Sequence, residues 1–114
     1  MANTIEYNGI NYEVVFNLNV MEKIQEEYGS VEAWGELTEG AEPNAKAIKF
    51  GFTEMINEGI DIYNEDNANK DNFAPRNHFT LAQIGRIISN IGLAATANAI
   101  SQTVVDSTKS DEKN

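Results

Sequence analysis

Asn8-Gly9 sits between two short runs of alternating polarity, and no other pair of residues constrains the fold of this chain as tightly. Asn and Gly tolerate the positive φ that both central positions of a two-residue hairpin turn require. On one side Ile5 and Tyr7 alternate with Thr4 and Glu6. On the other Ile10, Tyr12, Val14 and Phe16 alternate with Asn11, Glu13 and Val15. The spacing predicts an N-terminal β-hairpin with one apolar face. An isolated two-stranded hairpin is marginal in water, so that face must lie on another element.

After Phe16 the apolar period changes from two to about 3.6 residues, the helical repeat. Leu18, Met21, Ile24 and Tyr28 fall on one stripe, with Asn17 or Asn19 placed to cap it and Gly29 to end it. Ser30 can cap a short helix carrying Val31, Trp34 and Leu37. A long helix is expected over about 43–64, with Pro43 in its first turn. It carries Ala45, Ile48, Phe52, Met55, Ile56, Ile60 and Tyr63, while Phe50 lies off that stripe. Being apolar on more than one side, it is expected at the centre of the fold. Gly51 and Gly59 weaken the expectation that it is unbroken. A polar loop follows over 64–77. Thr80 and Gln83 then match a capping box, leading into a face of Leu81, Ile84, Ile87, Ile88 and Ile91. Gly92 allows a turn, and a last helix carries Leu93, Ala97, Ile100, Val104 and Val105, with small residues suited to close packing. The fold class is therefore α+β, mainly α: a hairpin packed on four to five helices. One domain is expected over 1–106, with a disordered polar tail over 107–114.

Charge and composition narrow the function. The formal net charge is −10, from 18 acidic and 8 basic residues, and the basic ones are scattered in sequence. Binding a nucleic acid needs clustered Lys and Arg, and an anionic membrane would repel this chain. Neither partner is expected. The absence of cysteine excludes disulfides, thiolate nucleophiles and thiolate metal sites, and favours an intracellular setting. No apolar run approaches the ~20 residues of a membrane span, and residues 1–7 do not read as a signal peptide.

Little here assembles into catalytic chemistry. His78 is the one histidine, so a triad or a His-based zinc site lacks its partners. It reads as a turn residue ahead of the capping box. Glu54, Glu58 and Asp61 recur along one side of the long helix, as Glu22 and Glu26 do on the first. Such series read as solvated faces rather than as a paired-carboxylate acid and base. The stretch 61–72 lacks the central Gly and closing Glu of a calcium loop. Phosphate-binding glycine motifs are absent. The chain is expected to be non-enzymatic, with no cofactor and no metal.

The order of these elements, together with Phe16-Asn17-Leu18-Asn19-Val20-Met21-Glu22-Lys23-Ile24 and Phe79-Thr80-Leu81-Ala82-Gln83-Ile84-Gly85, resembles the tail assembly chaperones of long-tailed phages and prophages of Gram-positive bacteria. The related protein of gene transfer agents is similar too. The resemblance spans about residues 5–105 and rests on hydrophobic patterns. It implies a protein of the host bacterial cytoplasm, absent from the mature virion. Such a protein binds and shields the tape measure protein during tail morphogenesis and yields to the tail tube protein. It also implies that a longer, frameshifted form diverges near the polar tail. The candidate protein-binding surface is Ile84, Ile87, Ile88 and Ile91 with Phe50, the competing reading being that at least half of these are core. Self-association, most commonly as a two-fold dimer, is compatible with the extra apolar faces. The alternative function is a non-enzymatic phage or host regulatory adaptor that binds a globular partner.

Overall fold

The computed structural model describes residues 3–39 and 42–112. Strands β1 (Asn3–Tyr7) and β2 (Ile10–Val14) form an antiparallel hairpin in which Ile5 faces Tyr12 and Tyr7 faces Ile10. Asn8 and Gly9 turn the chain at φ of 54° and 79°. Five helices follow: α1 (Leu18–Tyr28), α2 (Val31–Thr38), α3 (Ala45–Asn67), α4 (Leu81–Ile91) and α5 (Leu93–Glu112). The architecture is α+β, mainly α, with the hairpin packed on the helices.

Four helices start where a side chain satisfies backbone N–H groups that have no intrahelical acceptor. Asn17, Ser30, Asn44 and Thr80 each accept from the amide three residues on, and Thr80 completes its capping box with Gln83. Asn44 is the cap of α3, so Pro43 stands just outside the helix rather than in its first turn. The helix also runs three residues past the expected end, to Asn67. Helix α5 extends to Glu112, into the stretch 107–114 expected as a polar tail, and 113–114 lie outside the described residues. Neither Gly nor Pro interrupts the chain after Gly92, and adding a residue to an existing helix costs little.

Helix α3 is the central element, contacting β2 and all four other helices. Its Ile48, Phe52, Met55, Ile56 and Ile60 are buried with Val14, Phe16, Val20, Ile24, Trp34, Ile84, Ile87, Ile88 and Ile100. The two interior glycines leave α3 unbroken and mark where neighbours touch its backbone. A Cβ on Gly51 would land on the Trp34 indole, whose Nε1–H donates to the Ala47 carbonyl at 2.9 Å. A Cβ on Gly59 would land on the Glu13 carbonyl, next to the point where Val15 N–H donates to Met55 O at 3.2 Å. The hairpin therefore rests directly on helix backbone.

The apolar stripes lie inward, but several residues expected on them are exposed. Leu18, expected on the α1 stripe, is 76% exposed, and Val20 takes the buried place beside Ile24. Leu81 is exposed at the start of α4. On α5, between 93 and 107, the buried residues are Thr96, Ile100 and Thr103, while Leu93 and Val105 are exposed. Each buried threonine hydroxyl donates to the carbonyl four residues back, Gly92 and Ala99, so it packs inside without an unpaired polar group. Ala94 and Ala95 face outward, so close packing through the small residues of α5 is confined to Ala97 and Ala99.

Candidate protein-binding groove

Among the clefts that α3 lines, one is polar and one largely apolar. The polar cleft, about 270 Å³, is lined by Lys23 of α1, Glu54, Asn57, Glu58 and Asp61 of α3, and His78. Most of its polar groups hold the chain in place. Glu58 Oε2 accepts from the Asn17 and Asn19 amides at 2.8 and 3.1 Å. Asn57 donates to Phe79 O and accepts from Phe79 N at 3.0 and 2.8 Å. Asp61 meets His78 Nε2 at 2.7 Å, and Asn64 pairs both backbone groups of Arg76. Residues 57, 61 and 64 share one face of a helix. They bind Phe79, His78 and Arg76 in antiparallel order and lay the segment ahead of α4 along α3.

Aromatic contacts fasten the other side of that segment. Phe79 packs edge-on to Tyr7 and Tyr12. The Arg76 guanidinium lies 3.6 Å from the Tyr63 ring centroid, a cation–π geometry. The sequence showed an Asn-rich loop but not which of its residues would be tied down. Asn57 and Asn64, seven apart on the helix that precedes the loop, were the available signal.

Glu54 is the cleft carboxyl with a displaced pKa. Burial pushes it above the ordinary glutamate range, Lys23 and His78 pull it back, and Glu58 adds to the rise. No Ser, Thr or Cys lines the cleft. Among the described residues no group of three or more His, Cys, Asp or Glu is arranged to hold a metal ion.

The apolar groove, about 360 Å³, opens where the start of α3 meets the elbow between α4 and α5. Ala45, Ile88 and Leu93 give it an apolar lining, and Gly85 and Gly92 line it without side chains. The elbow exists because Gly92, at φ of 98°, ends α4 and lets α5 leave in a new direction. Lys46, exposed, and Lys49, half-buried, line it as well. Lys49 lies over Gly85, its Cδ 3.4 Å from where a Cβ would be.

The five residues expected to bind a partner do not form one surface. Ile84 and Ile87 are buried, closing the α3–α4 interface. Ile88 is 7% exposed and lines the groove. Phe50 packs edge-on to Tyr28, 5.6 Å between centroids, and is half-buried. Ile91 alone is exposed, at the end of α4. The physical reason is that α4 is a short helix laid against α3, so the central residues of its stripe are consumed by the core. The groove residues Ala45, Lys46, Lys49, Gly85 and Leu93 were missed, because only the elbow at Gly92 brings them together.

No protein-family model, curated protein or solved structure matches this chain. Fold and clefts together define a mainly helical α+β protein with an apolar groove at a helix elbow. No helix among the described residues is long and apolar enough to cross a membrane.

Proposed function

We propose that this protein is a non-enzymatic tail assembly chaperone that binds and shields the tape measure protein during phage tail morphogenesis. The observation that carries the reading is the open apolar groove at the α3–α4–α5 junction, with exposed Leu81, Ile91 and Leu93 on the same two helices. A shielding protein needs apolar contact surface joined to a soluble, charged back, and exposed apolar patches mark such contacts. The resemblance of residues 5–105 to tail assembly chaperones supports this reading. The polar cleft supports the non-enzymatic part of the reading, since its Asn57, Glu58 and Asp61 side chains are engaged in holding the chain.

On this reading the protein acts in the host cytoplasm, needs no cofactor and leaves before the virion is complete. Coexpression with the tape measure protein of the same phage tests it. The expected outcome is a soluble complex that co-purifies. An insoluble tape measure protein with no co-purification overturns the proposal and leaves the adaptor with a globular partner as the better reading.

A further inference from the structure

The charge around the groove is unlike the charge of the rest of the molecule. The chain has 18 acidic residues against 8 basic ones. Another largely apolar cleft, between α2 and α5, is lined by Glu32, Glu36 and Glu39. The α3–α4–α5 groove has no carboxylate in its lining and two lysines instead. Neither α3 nor α5 places an acidic residue in its first turn. The only charged residue of α4 is a cation, the exposed Arg86, so that helix brings no carboxylate to the groove. The nearest carboxylate in the preceding chain, Glu42, makes no ion pair with Lys46, and among the described residues neither lysine has a carboxylate within 4 Å.

We infer that this groove docks an acidic amphipathic helix, an apolar side chain entering between Ile88 and Leu93 while flanking carboxylates meet Lys46 and Lys49. The inference rests on the proposed function in one respect, that a protein partner docks here, and it names the chemistry of the docking segment. Charge complementarity selects the occupant. Two ammonium groups one helical turn apart match carboxylates at i and i+3 or i+4 of a facing helix. An extended phosphate backbone would meet two cations and then a surface of net negative charge. A basic segment would be turned away at the rim, and like charges across an interface suppress wrong partners.

The test uses the full chain and two labelled 20-residue helical peptides. Both carry leucine at i, i+4 and i+7; one is flanked by glutamate and the other by lysine. Helical fragments of the tape measure protein form a third arm. The wild-type chain is expected to bind the glutamate peptide at least about tenfold more tightly than the lysine peptide at low salt, the gap narrowing as salt screens it. Lys46→Glu with Lys49→Glu should reverse that order. Ser89→Trp, which fills the groove from an exposed position, should weaken the glutamate peptide without altering the circular dichroism spectrum. Equal binding of the two peptides, or glutamate-peptide binding untouched by the double reversal, overturns the inference. Tape measure fragments that bind the wild-type and double-reversal chains alike would do the same while leaving the chaperone reading in place. If no tape measure fragment binds but the glutamate peptide does, the groove chemistry stands and the chaperone reading falls.

Discussion

Replacing Gly51 by alanine sets two physical effects of known sign against each other. In an ordinary helix interior the change stabilises by about 1 kcal/mol, because alanine loses less backbone entropy on folding. At Gly51 the new methyl would fall on the Trp34 ring, within 2.8 Å of Cε2 and 3.0 Å of Nε1. Trp34 is 2% exposed and held by its hydrogen bond to Ala47 O, so the ring cannot swing away freely. Overpacking a dense core costs about 1–3 kcal/mol, and loosening the indole hydrogen bond about 0.5–1.5 more. The expected net result is destabilisation of about 1–3 kcal/mol, or roughly 4–12 °C in Tm for a domain of this size. Gly85→Ala is the matched control. It is also in a helix interior, but its Cβ would meet nothing nearer than the flexible Lys49 Cδ at 3.4 Å. It should stabilise by about 0.5–1 kcal/mol. Urea titration and thermal melts followed by circular dichroism measure both. A Gly51→Ala protein as stable as wild type, or two alanine variants that shift in the same direction, would refute the reasoning. In a Trp34→Leu background the penalty at residue 51 should shrink or reverse, since the coupled partner is gone.

Three further outcomes follow from the same structure. Asn57→Ala removes both hydrogen bonds to the Phe79 backbone and should cost about 1–3 kcal/mol, with faster hydrogen exchange at the Phe79 amide as the local readout. Tyr28→Phe should raise stability by about 1 kcal/mol in urea titrations, because the Tyr28 hydroxyl is buried with no hydrogen-bond partner among the described residues. Glu54→Gln should gain on wild type as pH rises from acid to neutral. Burial raises the folded-state pKa, so the unfolded chain ionises first and the native carboxyl becomes a cost above the ordinary value. A stability difference between the two proteins that stays flat from pH 4 to pH 7, a range of about three units around that transition, would contradict this assignment.

Features set by a few adjacent residues were legible in the sequence. The Asn8-Gly9 turn, the stop at Gly29, the Ser30 cap and the Thr80–Gln83 capping box all appear where local chemistry places them. The fold class followed from the change of period after Phe16, and the central place of α3 from apolar residues on more than one side. Which side of each helix faces inward was harder to read. Leu18 and Leu81 are apolar yet lie outside, while Thr96 and Thr103 are polar yet lie inside, since a threonine that bonds its own helix loses nothing by burial. Gly51 and Gly59 looked like weak points and are sites of contact. No local pattern distinguishes a glycine that weakens a helix from one that admits a neighbour.

The candidate site follows the same division. Ile84, Ile87, Ile88 and Ile91 were legible as the apolar stripe of one amphipathic helix, but a stripe does not say how much of itself the core will cover. By itself the chain determined its elements, their order, their caps and its excess of negative charge, because each depends on neighbours within a few positions. Only the tertiary structure decided that α4 would bury most of that stripe and that Lys46 and Lys49 would flank Ile88 and Leu93. Those outcomes depend on the direction in which α5 leaves Gly92 and on contacts between residues some forty positions apart, and such geometry is fixed by packing rather than by local sequence.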